Sequence, residues 1–185
     1  MIREQKVAEK VSGPSPLCIV SLGGNVLIKR GESGTIEEQF AHTEECVRQI
    51  SRMVNEGYRI VITHGNGPIV GNIMIRNEAA RNTVPPMPLY ICDADSEGGI
   101  GFMIQQTLYN QLRKVDPVTD VVTIITQVVV DRGDEAVRKP TKPIGPFYTA
   151  GEAKILEESK GWRLVEDSGR GYRRVVPSPR PLKII

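Results

Sequence analysis

Two short clusters of glycine and asparagine carry the chemistry this sequence offers. Gly23, Gly24 and Asn25 follow directly on the apolar run from Leu17 to Leu22, and Gly65, Asn66 and Gly67 follow the run from Tyr58 to Thr63, with His64 between. Paired glycines let backbone N–H groups approach an anion without a Cβ in the way, and a carboxamide donates to phosphate or carboxylate oxygens without adding charge. Lys142, between Thr141 and Pro143, is the candidate for a mobile cation over that anion. Such a set positions and neutralises a small anion. The plainer reading of the same residues is two tight turns and a solvated loop lysine.

Other chemistries find no matching pattern. Neither glycine loop is Gly-x-x-x-x-Gly-Lys-Ser/Thr or Gly-x-Gly-x-x-Gly, so the two common nucleotide fingerprints are missing. His64 has only His42 as a fellow histidine, without metal-ligand spacing, and is read as a residue that shapes its loop. No Gly-x-Ser-x-Gly elbow occurs, and Cys18, Cys46 and Cys92 stand far apart without a matching histidine pattern, which argues against covalent catalysis.

The elements that must position these residues follow from periodicity. The two apolar runs read as buried parallel strands with both glycine loops on one sheet edge, where parallel sheets place their ligands. Between them Thr35 to Glu38 forms a capping box that opens a crossover helix to about Asn55, closed by Gly57. Pro68 suits the first position of a second helix running to about Arg81, and Pro85 to Pro88 then forbids regular structure. Asp95 and Ser96 are read as the cap of a third helix with an apolar stripe from Ile100 to Leu112. Val121 to Val130 is β-branched almost throughout and reads as a central third strand covered on both faces.

Beyond Asp131 the pattern changes. Lys139 to Pro146 reads as a proline-rigid basic loop, and Thr149 with Glu152 as a second capping box whose helix ends near Gly161. Trp162 to Val165 and Tyr172 to Val176 read as an antiparallel hairpin. The organisation expected is a loose leader over 1–16, an α/β domain over 17–130, a small protruding α+β subdomain over 131–177, and the start of a strand over 178–185. The fold class is α/β, a three-layer α/β/α sandwich with a mainly parallel sheet.

Composition excludes some partners. Lys and Arg number 24 against 22 Asp and Glu, so no global field favours nucleic acid or an anionic membrane. The arginines Arg170, Arg173, Arg174 and Arg180, with Lys183, read as a solvated hairpin face. Three widely spaced cysteines fit a reducing cytoplasm, and no apolar run reaches membrane length.

Four motifs together resemble the carbamate kinases of the amino-acid kinase superfamily. They are Ser21 to Asn25, Thr63 to Pro68, Pro140 to Pro146 and Gly171 to Pro179, in that order, so the resemblance covers about Leu17 to the end. It implies phosphoryl transfer between carbamoyl phosphate and ADP, with Mg²⁺ accompanying ATP or ADP, no covalent enzyme intermediate, and a homodimer. It also implies that Gly23, Gly24 and Asn25, with Gly65, Asn66 and Gly67, surround the transferred phosphoryl and the carbamate, and that Lys142 reaches carbamoyl phosphate. Catalytic roles fall by resemblance to Gly24, Asn25 and Lys142, and substrate binding to Gly23, Gly65, Asn66 and Gly67. The family's nucleotide-binding half is expected to lie outside these residues. Two departures stand out: Ile69 replaces a common glutamine after Gly-Asn-Gly-Pro, and Asp93 to Gly98 replaces Gly-Ala-Glu-Ser-Gln-Gly. A non-catalytic small-anion or interaction module, and a kinase for a different carboxylate acceptor, are the competing readings.

Overall fold

The computed structural model describes residues 14–29, 32–115 and 118–185, except for the side chain of Asn25. Strand β1 (Leu17–Leu22) and strand β2 (Arg59–His64) pair in parallel, Leu17 opposite Arg59 and Leu22 opposite His64. Ser15 and Pro16, expected in the loose leader, are tied to this pair: Arg59 donates its backbone N–H to the Pro16 carbonyl and its Nε–H to that of Ser15.

Helix α1 (Ile36–Asn55) forms where its capping box places it, with Thr35 and Glu38 each accepting from the other's backbone N–H. Gly57 follows at φ +92. Helix α2 (Gly67–Ala79) starts at the second glycine loop with Pro68 in its first turn. Helix α3 (Leu89–Leu112) begins a turn and a half before the expected cap, because Pro88 precedes it in extended conformation and nothing in residues 89–94 resists helix. Asp95 and Ser96 therefore lie inside α3.

One core joins Val47 and Ile50 of α1 to Ile100, Ile104, Leu108 and Leu112 of α3, with Val20, Leu22, Ile60 and Ile62 packed against it from the strands. The alternation of β1 and β2 puts these residues on one face. On the other face Leu17, Ile19 and Val61 are exposed, so the strands expected to be fully buried are covered on one side only among the described residues.

The expected central strand is the largest correction. Only strand β3 (Val128–Val130) forms, all three residues exposed, and it pairs antiparallel with strand β7 (Pro181–Ile184). Residues 121–127 have no ladder to β2. A cleft of about 750 Å³ lies along them, lined by β2 and by residues including Val121 and Thr123, and Val122 and Ile124 are 75% and 78% exposed. This segment is held to α3 instead: Thr126 donates from N–H and hydroxyl to Glu97, and Thr123 donates to the Gly101 carbonyl. Strong β-propensity does not make a strand without a neighbour to bond.

After a short helix α4 (Glu135–Arg138), the basic loop expected over 139–146 is instead largely strand β4 (Lys142–Tyr148). It pairs with strand β6 (Tyr172–Val176), which also pairs with strand β5 (Leu164–Glu166), all antiparallel in the order β4-β6-β5. Pro143 and Pro146 are tolerated because β4 is an edge strand with a register shift between Ile144 and Tyr148. Helix α5 (Ala150–Lys160) carries the second capping box and ends at Gly161 in the left-handed region. A second apolar cluster of Val70, Cys92, Ile144 and Val176 fixes this three-stranded sheet to α2 and α3.

Arg170, Arg180 and Lys183 are exposed as expected of a solvated face, but Arg173 and Arg174 are not part of one. Arg173 is buried, donating from Nε to the Gly145 carbonyl at 3.0 Å and pairing with Asp167 at 3.1 Å, while Arg174 lies over the Trp162 ring.

Candidate functional site

The two glycine loops meet backbone to backbone. A Cβ on Gly24 would lie 3.2 Å from the Gly67 nitrogen and 3.2 Å from Pro68 Cδ, and one on Gly65 would lie 3.1 Å from the Gly24 nitrogen. Nothing lies within 4 Å of a Cβ placed on Gly23 or on Gly67. The inner glycines thus close the two loops on each other, and the outer ones leave open space beside the backbone. Among the described residues no acceptor partners the amides of Gly23 or Gly24. The first N–H groups of α2 have no side-chain cap. The unpartnered amides of Gly23 and Gly24 and the uncapped N-terminus of α2 make a partial positive charge beside this open space, the arrangement that attracts an anion.

Each loop is anchored from behind. The first turns through a 3₁₀ turn at Gly24–Val26, with Val26 donating to the Gly23 carbonyl at 2.9 Å, and then Leu27 buries its side chain in the main core. Farther on, Glu32 accepts from the Lys29 N–H and pairs with His42 at 2.8 Å, and Lys29 pairs with Glu45. The N–H from Lys29, then the bond to His42, hold the Glu32 carboxyl below its ordinary value. The second loop is tied to the first strand by the Gly65 N–H, which donates to the Leu22 carbonyl.

Asn66 is held by two residues that the sequence reading did not connect with it. Its Nδ2 donates to Asp93 Oδ1 at 2.5 Å and to Ser96 Oγ at 2.7 Å. Both partners project from the first half of α3, and they reach Asn66 because that helix starts at Leu89. The donation to a ligand anion expected of this carboxamide is therefore not available in this arrangement. The signal for Asp93 was its place in the departing stretch from Asp93 to Gly98.

His64 closes β2 beside the loop. Burial pushes its imidazole below the ordinary value, partly opposed by a backbone hydrogen bond at Gly65 and by the charge of Glu97. Its Nδ1 is buried without a hydrogen-bond partner, which likewise disfavours the charged ring.

Lys142 is the first residue of β4, opposite Val176, rather than part of a loop, and its side chain is exposed, without a hydrogen bond or ion pair among the described residues. Among the described residues no side-chain hydrogen bond or ion pair joins it to the glycine loops. Its strand is brought to α2 by the close approach of Gly145 to Gly71. Among the described residues no group of three His, Cys, Asp or Glu side chains could hold a metal ion, and no helix is long and apolar enough to cross a membrane.

Comparison with known proteins gives a consistent result. The amino acid kinase family model matches residues 16–164. The chain is 50% identical over 165 residues to a carbamate kinase of Pyrococcus furiosus, covering 88% of this chain and 52% of the relative, and 46% identical over 168 residues to one of Trichomonas vaginalis, covering 90% and 54%. The structure resembles that of carbamate kinase from Giardia lamblia bound to citric acid, with a TM-score of 0.89 and 42% identity over 92% of this chain and 55% of that one. The same enzyme bound to AMP-PNP gives a TM-score of 0.75, covering 92% and 54%. The chain spans about half the length of the curated relatives it matches.

Proposed function

The chain belongs to the amino acid kinase family, and from that premise we propose that these 185 residues supply the carbamate side of phosphoryl transfer between carbamoyl phosphate and ADP. The observation that carries this reading is the closure of Gly24 on Gly65 and Gly67 beside the open backbone at Gly23 and Gly67. Phosphoryl transfer proceeds through a loose transition state whose charge sits on peripheral oxygens, so positioned N–H donors and cations do nearly all the work. The two loops hold the phosphoryl and the carbamate group, and Lys142, a free cation on an edge strand, neutralises the leaving side.

Mg²⁺ would arrive with ATP or ADP and would supply neutralisation of the nucleotide's phosphate charge. The described residues offer it no cluster of three His, Cys, Asp or Glu side chains. Groups that meet the nucleotide's phosphates are needed in addition to those of the two loops. A homodimer is implied by the family resemblance, and the widely spaced cysteines fit a reducing cytoplasm.

Titration calorimetry with carbamoyl phosphate tests the reading, with Gly24→Val, which fills the space between the loops, as the control. Saturable binding that this variant loses while keeping its helical circular dichroism supports it. Equal binding by both proteins places the ligand elsewhere.

A further inference from the structure

Hydrogen-bond counting fixes which way Asn66 faces. An ionised carboxylate only accepts, so the atom of Asn66 that meets Asp93 is its NH₂. The Ser96 hydroxyl donates its single proton to the Asp93 backbone carbonyl at 2.6 Å, so toward Asn66 its oxygen also only accepts. Both hydrogens of the Asn66 NH₂ are thereby used, and a flipped carboxamide would set its oxygen against two acceptors. The remaining polar atom, Oδ1, has no partner among the described residues and is not sealed from solvent. Asn66 is the residue immediately before α2 and lies between Gly65, which closes on Gly24, and Gly67, where nothing lies within 4 Å of a placed Cβ.

We propose that Asp93 and Ser96 are positioning residues that lock Asn66 as a hydrogen-bond acceptor, and that this acceptor selects a substrate bearing an N–H group. The inference rests on the reading of the loops as the carbamoyl phosphate site. Carbamate and carbamoyl phosphate carry NH₂, which donates; the methyl of acetyl phosphate has the same size and cannot donate. Phosphate oxygens cannot satisfy Oδ1 either, so the amide edge of the site is set for the carbamoyl end and the free backbone N–H groups for the phosphoryl end. Asp93 is the residue by which this chain departs from the Gly-Ala-Glu-Ser-Gln-Gly pattern, and the lock on Asn66 depends on its carboxylate.

The test is calorimetric affinity for carbamoyl phosphate against acetyl phosphate, on the full chain and on Asp93→Ala, Ser96→Ala and Asp93→Asn. The full chain is expected to prefer carbamoyl phosphate by about tenfold, the size of a hydrogen bond whose loss leaves a polar group unpaired. Asp93→Ala and Ser96→Ala should bring the ratio close to one, and Asp93→Asn should retain most of it, since an amide oxygen accepts the same bond. Equal affinities in the full chain, or an unchanged ratio in both alanine variants, overturn the inference while leaving the loop site standing. Failure of the full chain to bind either compound overturns the loop site, and this inference with it.

Discussion

Gly71 and Gly145 bring helix α2 and strand β4 together with no room for a side chain: a Cβ on Gly71 would lie 2.0 Å from Gly145 Cα and 2.1 Å from its nitrogen. The contact is asymmetric. A Cβ on Gly145 would meet Gly71 Cα at an ordinary 3.5 Å, but Gly145 sits at φ +76, which strains any other residue. Gly71→Ala must part the helix from the sheet and is expected to cost about 3 kcal/mol, in the range of overpacking, whereas Gly145→Ala is expected to cost about 1 kcal/mol of backbone strain. Thermal unfolding should show losses of about 6–12 °C and about 2–4 °C respectively, on the usual scaling for a chain of this size. Equal losses would mean the contact is looser than described.

Lys142 has no partner of its own, so its charge is available to a ligand. Lys142→Ala should weaken carbamoyl phosphate binding by about 1.5–3 kcal/mol, the scale of a charge-assisted hydrogen bond. Stability should barely move, because the side chain is exposed. An unchanged calorimetric affinity removes Lys142 from the site.

Arg173 and Asp167 form a largely buried pair, with Arg173 also holding the Gly145 carbonyl. Arg173→Met should destabilise the chain by about 3 kcal/mol, since removing one partner strands the other's charge. The double variant Arg173→Met, Asp167→Asn should recover part of that loss in denaturant unfolding. No recovery would show that the bond to Gly145, rather than the ion pair, is what matters.

Two groups give stability opposite reasons to fall in acid, in separate windows. The folded value of His64 lies below its ordinary 6.5 because burial disfavours the imidazolium, so it contributes stability above that pH, lost as pH falls below it. For Asp167, burial works to raise the carboxyl, but hydrogen bonds from Arg173, Ser168 and Arg170 outweigh it and hold it below 3.8. Its contribution is present above about that pH and disappears only in stronger acid. Melting temperature against pH should therefore show a decline beginning just below pH 6.5 that His64→Gln flattens, leaving the decline at lower pH intact. A decline unaltered by His64→Gln would assign it to other groups.

Much of this was legible because local rules sufficed. The capping boxes at Thr35 and Thr149 fix their helices through side-chain geometry within one turn, and Pro68 at the head of α2 needs nothing from the rest of the chain. The misreadings needed information from across the fold. Val121 to Val130 has the composition of a central strand, yet residues 121–126 find no ladder partner and Gln127 to Val130 pair only with the end of the chain around β7. Pro143 and Pro146 argued for a loop, but β4 is an edge strand with a register shift between Ile144 and Tyr148, where proline is tolerated. Asn66 looked like a donor because nothing local announces that Asp93 and Ser96, on another helix, have already taken its hydrogens.

The central claim is that the two glycine loops together hold the phosphorylated substrate, and backbone amide chemical shifts report it most directly. On adding carbamoyl phosphate to the ¹⁵N-labelled chain, the amides of Gly23, Gly24, Asn25, Gly65 and Gly67 should shift together along one saturable curve. Inorganic phosphate should move the same set more weakly. Shifts confined to another surface, such as the basic cleft between Arg81 and Arg174, with the loop amides unmoved at saturation, would contradict the account.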